Sequence, residues 1–502
     1  MRRVFFIFIV LVVFLAWHVP AMAETNQDLL EEMKAIKKQL DDMKGLQERL
    51  KTLEKKLEEA EKVTTQIQKE EAQLKEDKKT RAISYWRDGF NIETPDKQFR
   101  LQLGGVLHFD YRQFESGRSA SGFDIRRARY DMRGYHYRGD LEHIFRLQIE
   151  MADSPYLRNA YWMFKPNPDL SFQIGQFKIP SGGADWLTEE AHVNFVEYAT
   201  GTPVSPFFDR GIRVQKNFLG NKIQATLAAF TGTGVDVDVN QGDYDNNKDY
   251  VARLLLVPFK DAEYPYLKGL HLAGSYQDGI QSIRTIRGEA TNRTENYESR
   301  WYRWRQTRLD LDKRKRYGGE LHWICGPTAF SYEFNRVEWE DITVRNSTSP
   351  YAVIQNLRDR YHSDVHQVWI SYFLTGEEKQ IEDVFFSWRQ PKPKKNFSLK
   401  EGTWGAWEIL ARYAFHTTSD ALFSDGTGAT TNAVLQGSRQ GYSITGGVRW
   451  IWNPKCRVML DINHCKSTEG SMYTDEAKSG GTDTTRAMDK ETAAMFRIIL
   501  TP

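Results

Sequence analysis

The stretch 123–135, FDIRRARYDMRGY, decides how the chain is read. In an extended strand successive side chains point to opposite faces. One face then carries Ile125, Arg127, Arg129, Asp131 and Arg133, and the other Ala128, Tyr130, Met132 and Gly134. Three guanidiniums on one face are too costly for a dry core unless each is paired. A sandwich exposes such a face to water. A barrel with a wet lumen turns it inward and shows Ala, Tyr and Met to lipid.

The neighbouring sequence favours the barrel. From Phe99, apolar Leu101, Leu103, Leu107, Phe109 and Tyr111 alternate with Arg100, Gln102, His108, Asp110 and Arg112. That run is long for a globular strand and suits a tilted membrane strand. Similar segments follow at 123–136, 141–151, 157–165, 169–178, 209–218, 221–231, 249–259, 268–277, 317–325, 328–340, 364–375, 403–415, 440–452, 455–466 and 490–500. They make about sixteen, an even number as bacterial barrels require. Alternate connections are short and rich in Gly, Pro, Asn or Asp, as at Pro166–Asp169, Leu219–Asn221, Gly326-Pro327 and Asn453-Pro454. The others, including 179–208, 232–248, 278–316, 341–363, 416–439 and 467–489, are long. The exception is 376–402, long but on the short-turn side, with the basic run Pro391-Lys392-Pro393-Lys394-Lys395.

Ahead of the barrel the spacing changes. Arg2 and Arg3, the apolar run Val4–Ala16 and Ala21-Met22-Ala23 read as an export signal, 1–23, with the mature chain starting at Glu24. The formal net charge of +2 includes those two arginines, so the remainder is near neutral and only charge placement is informative. Mean hydropathy is −0.61 and 13% of residues are aromatic, which suits an exported barrel or a secreted β-protein. Residues 24–80 hold a heptad seam, Leu29, Met33, Ile36, Leu40, Met43, then Leu46, Leu50, Leu53 and Leu57 after a skip at Gly45. The spacing predicts a coiled-coil stalk about 70 Å long, joined to the barrel at 99–502 by a linker, 81–98. A single amphipathic helix packed on the barrel is the plainer reading. Of the three cysteines, Cys456 and Cys465 share a strand about 30 Å long between them if extended and do not pair. A Cys325–Cys456 bond stays geometrically open.

Several separated segments then become recognisable. SYFLTGE at 371–377, GAWEILARYAF at 405–415 and FDIRRARYDMRGYHYRGDLEHIFRLQIE at 123–150 carry the likeness, with LRNAYWMF at 157–164, IGQFKIP at 174–180 and GVRWIWNPKCRVMLDIN at 447–463. Together they resemble the phosphate-selective porin O/P family. The resemblance implies a sixteen-stranded outer-membrane barrel, commonly a trimer, that passes small anions such as phosphate. The chain is then expected in a Gram-negative outer membrane, among lipid and lipopolysaccharide, with the coiled coil in the periplasm.

Alternation assigns the lumen face. It puts Arg146, Arg213, Arg412, Arg449, Arg457 and Arg497 inside with Arg127, Arg129 and Arg133, and these nine are the expected anion path. Inward acids Asp110, Asp131, Glu142, Glu150, Glu408 and Asp461 oppose them, so bracing of the wall by ion pairs is the competing role. The segment 281–316 holds eleven Lys or Arg and five Asp or Glu, and reads as a basic outer loop that attracts anions, pairs with lipopolysaccharide phosphates or is simply solvated. Its Trp301, Tyr302 and Trp304 could stack on nucleic acid, a role excluded by export. The run 243–249, DYDNNKD, starts like a calcium loop but has Lys248 at the sixth position and Leu254 at the twelfth. Arg138-Gly139-Asp140 is explained by a tight turn. His416 and His464 stand singly, without metal-ligand spacing. No nucleophile elbow, phosphate loop or zinc signature occurs, so no catalytic residue, metal or cofactor is expected. Two other roles remain: a structural tether whose coiled coil grips the cell wall or a periplasmic partner, and an enzyme built on a barrel.

Overall fold

The computed structural model describes residues 26–502 apart from 117–118, 139–140, 153–154, 200–207, 233, 235–245, 282–290, 297–298, 305–308, 346–351, 383–386, 424–434 and 475–485. The export signal, the start of the calcium-like run and Gly139-Asp140 lie outside the described residues. The chain divides into two compact units, Met1–Arg81 and Ala82–Pro502.

In the first unit, Asn26–Thr80 is one helix, α1. Its Lys, Glu, Leu and Gln content favours helix, and at 55 residues it is about 80 Å long. Glu58 and Lys62, four apart, pair at 2.8 Å. The seam side chains are bare on the single chain; Leu53 is 65% exposed.

The second unit is a closed antiparallel barrel of sixteen strands: β1 Arg100–Phe114, β2 Gly122–Arg138, β3 Glu142–Glu150, β4 Tyr156–Asn167, β5 Leu170–Lys178, β6 Phe208–Phe218, β7 Ile223–Phe230, β8 Asp249–Leu256, β9 Leu270–Gln281, β10 Leu309–Cys325, β11 Thr328–Arg345, β12 Val353–Phe373, β13 Ala406–Thr418, β14 Gln440–Asn453, β15 Cys456–Glu469 and β16 Lys490–Leu500. Each strand pairs with its sequence neighbour, and β16 closes on β1 from Ala493↔Phe114 to Leu500↔Leu107. Closure satisfies every strand edge, which a barrel in lipid requires. This is the fold that the alternation predicts.

Three local readings change. First, the ladder between β1 and β2 shifts register, with His108 opposite Arg127 but Phe109 opposite Ile125. The extra residue, Arg126, is a bulge, and a bulge reverses the faces on its far side. Ile125 is therefore 53% exposed on the outer face, not beside Arg127, and Arg126 reaches Glu197 at 3.0 Å.

Second, β10, β11 and β12 run well past their expected limits of 317, 340 and 364. Thr291–Arg293, Ser299–Trp304, Leu435–Gly437, Met472–Thr474 and Arg486–Met488 form a separate sheet at the long-loop end. Its buried Trp301 and Tyr302 pack with Val337, Trp339, Ile342 and Val344 of β11. A register shift between Glu340 and Ile342 breaks the period-two signal of β11 there. Much of the 281–316 segment is thus packed structure, and its Trp301 and Tyr302 are core.

Third, residues 83–93, read as linker, form a hairpin, Ile83–Trp86 with Phe90–Glu93, whose second strand pairs with β1. All three cysteines are free, Cys325 and Cys456 included.

Candidate functional site: a constriction inside the barrel

The connection from β5 to β6 does not stay outside. Its start, Gly182-Gly183, has φ near 93° at both residues, a backbone that only glycine adopts easily. One helical turn follows, Ala184–Leu187, and the Lys178 ammonium donates to the carbonyls of Trp186 at 2.9 Å and Thr188 at 2.6 Å at its end. The Asp185 amide then donates to Glu333 on β11, and its carboxylate accepts from Trp369 Nε1 on β12. Further on, Glu197 meets Arg112 and Arg126 of β1 and β2 and Arg497 of β16. A segment that touches β11–β12 and β16–β1–β2 of one closed barrel crosses its lumen.

Wall arginines hold this loop in place. Arg129 bonds Glu190 at 2.6 Å and Glu150 at 2.7 Å, and Arg158 also bonds Glu190. Arg146 joins Asp131 and Glu189, each at 2.7 Å. Arg497 takes Asp110 through two bonds of 2.7 Å and reaches the Val196 carbonyl. Arg449 pairs with Asp461 at 2.6 Å and donates to the Asn194 carbonyl at 2.6 Å. Burial alone would raise the pKa of Glu197. Arg126, Arg112 and Arg497 override it and hold the carboxyl well below its usual range.

The other five of the nine expected arginines have different surroundings. Arg412 donates to the Glu197 carbonyl at 3.0 Å and to Thr445 at 3.2 Å. Arg457 donates to the Ala191 carbonyl at 2.9 Å. Arg127, 6% exposed, makes no hydrogen bond or ion pair with any described residue. His108, fully buried, has neither ring nitrogen bonded and lies opposite Arg127 in the ladder. Arg133 is exposed and, among the described residues, bonds Gln102 alone, at 3.1 Å. Arg213 is buried on β6 against Met163 sulfur at 3.8 Å. Of the expected inward acids, Glu142 instead meets Arg138 beside its turn, and Glu408 is taken by Lys379 at 2.5 Å.

The long turn between β12 and β13 enters the lumen from the opposite end. Gln380–Glu382 and Ser387–Arg389 pair as a small hairpin. Buried Trp388 lies 4.8 Å from Trp369 and 5.4 Å from His322, centroid to centroid. Its backbone amide donates to Thr188 Oγ1 at 2.8 Å, so the two in-folded segments meet. The basic run at 391–395 lies beyond this hairpin, where Lys394 bonds Glu377 through its amide.

Alternation missed Arg126, because a bulge leaves no periodic trace. It also missed Glu189, Glu190 and Glu197, which sit in a loop without any period. Arg253, Arg314 and Arg316, buried on β8 and β10, do alternate with their neighbours, and that signal was available.

Residues 101–488 match the family described as phosphate-selective porin O and P. Porin O of Pseudomonas aeruginosa is 23% identical over 405 residues, which cover 74% of this chain and 84% of that protein. Among solved structures, outer-membrane expressed OmpT of Vibrio cholerae is 9% identical at a TM-score of 0.48, covering 81% of this chain and 98% of that one. An anion-selective porin from Comamonas acidovorans is 11% identical at 0.43, covering 80% and 99%.

Proposed function

The chain belongs to the phosphate-selective porin O and P family, and on that premise we propose that its barrel is a passive channel for small anions, phosphate among them, across a Gram-negative outer membrane. Solutes move down their gradients and no bond is made or broken. The observation that carries the anion preference is the set Arg127, Arg412 and Arg457, buried guanidiniums whose bonds are to neutral groups or absent. An anion reaching them exchanges part of its hydration for charge-assisted hydrogen bonds, and it leaves again because no closed cage forms. Arg129, Arg146, Arg449 and Arg497 spend their charge on acids, so their contribution is to the shape of the path.

The short-turn end faces the periplasm in this reading, and α1 associates there with copies of itself as a coiled-coil stalk of a trimer. Its bare leucine seam supports that assignment. The test is the zero-current potential of purified protein in a bilayer across a salt gradient. Arg127→Glu and Arg457→Glu should lower the anion-to-cation permeability ratio by at least about fivefold, because reversing one charge about 4 Å from a passing ion turns about 1 kcal/mol of attraction into as much repulsion even with water-like screening. Arg358→Glu, on the exposed outer rim, should do less. If both lumen variants, with barrels intact, leave the potential unchanged, the anion path does not run past these residues. Competition among phosphate, sulfate and dicarboxylates then ranks the solutes.

A further inference from the structure

On the other side of the in-folded loop, β10, β11 and β12 bring together a buried group that the anion path does not use. Glu320, His322 and Glu333 each offer one ligand atom, and these atoms lie within 4.8 Å of one another. His322 Nε2 stands 3.0 Å from Glu320 Oε2, and its Nδ1 stands 2.9 Å from Ser331 Oγ. Asp185 of the loop borders the group through its amide, which donates to Glu333 Oε1 at 2.9 Å. Gln367 Nε2 spans the two carboxylates, at 2.7 Å from Glu333 Oε2 and 3.3 Å from Asp185 Oδ2.

The charges do not balance. Ionised, Glu320, Glu333 and Asp185 carry three negative charges, and Arg253 pairs with Glu320 alone. No lysine or arginine forms an ion pair with Glu333 or Asp185 among the described residues. Two negative charges are left in a buried place, where uncompensated charge is costly. A second observation points the same way. Gln367, 5% exposed, leaves its amide oxygen Oε1 without a hydrogen-bond partner, although its nitrogen touches both carboxylates.

We propose that Glu320, His322 and Glu333 form a binding site for one divalent transition-metal cation, with the Gln367 amide oxygen as a further donor. One imidazole and two carboxylates are the ligand types that zinc and its neighbours accept. Ser331 fits the outer support of such a site, since it accepts Nδ1–H and leaves the Nε2 lone pair to the metal. A dication cancels the excess of two negative charges. Because Glu333 also takes the Asp185 amide, and a Cβ on Gly183 would run into its Oε2, the metal stiffens the point where the loop is fastened to β11.

The experiment uses the purified full chain, stripped with chelator, dialysed and titrated with Co²⁺ or Zn²⁺ alone. The wild type should bind one equivalent, and its cobalt form should show visible d–d absorption with hyperfine-shifted imidazole protons from one histidine. His322→Ala and Glu333→Gln should each bind at least tenfold more weakly. Barrel integrity is read in each from its resistance to detergent before heating. Failure of the wild type to bind, or an imidazole-free cobalt spectrum, overturns the proposal without reference to any variant. Equal binding by a folded His322→Ala overturns it as well, since the metal then sits elsewhere.

Discussion

Arg127 and Arg129 are two residues apart on β2 and face the same lumen, yet their surroundings set them to different work. Arg129 is fixed between Glu150 and Glu190, and its charge is cancelled where it stands. Removing one partner of such a buried pair costs about 3–5 kcal/mol, because the other charge is stranded. Arg129→Gln should therefore leave Glu190 to Arg158 alone and loosen the loop, seen as noisier and larger single-channel currents, with lower thermal stability of the folded barrel. Quiet currents of wild-type size would sever Arg129 from the loop. Gly183 gives a second check. Gly183→Ala meets both a positive φ and Glu333, so it should loosen the same loop, at a cost of about 1–3 kcal/mol for the backbone alone. Alternation made the inward set on β2 legible from Arg127 to Arg133. It gave no sign of how that set divides, because the partners come from a loop more than 50 residues along the chain. Ile125 fell on the wrong face for a similar reason: one unpaired residue at the bulge resets the count.

At the scale of elements, the lumen is narrowed from both ends. The β5–β6 loop crosses it, and the hairpin of the long β12–β13 turn rises to meet it at Thr188 and Trp388. Trp388 is the hairpin's main anchor, against Trp369. Trp388→Ala should lose about 3–5 kcal/mol of local packing and raise conductance, measured on single channels, while anion preference falls less than in Arg127→Glu. Unaltered conductance would show that the hairpin lies off the path. A cysteine at Ser398, beyond the hairpin, should resist a bulky impermeant thiol reagent on whole cells; labelling from outside would invert the topology. The anomalous length of 376–402 was visible in the sequence. Its destination was not, since Trp388 sits in a segment with neither heptad nor period-two spacing. The upper part of β11 was hidden because a register shift after Glu340 breaks its alternation.

At the scale of the whole molecule, the two compact units carry different physics. The barrel completes its own backbone bonds, so it needs nothing from α1. Leu53→Asp should accordingly leave the barrel inserted and heat-modifiable while weakening self-association of the helix, read by crosslinking. Loss of insertion would tie the units together. The heptads and the period-two runs, being long and regular, made both units legible, whereas the hairpin at 83–93 was too short to show. The seam between β16 and β1 has one more consequence, for biogenesis. Leu500 pairs with Leu107, so the closing ladder joins residues nearly four hundred positions apart. Loop-closure entropy grows only with the logarithm of length, so this costs about 2 kcal/mol more than closing a thirty-residue hairpin. The burden is one of time. Until the last strand is delivered, β1 and β15 both present open edges, and an unfinished sheet of fifteen strands is a template for pairing with the wrong chain. A nascent chain of this kind needs an escort until its final eleven-residue strand arrives.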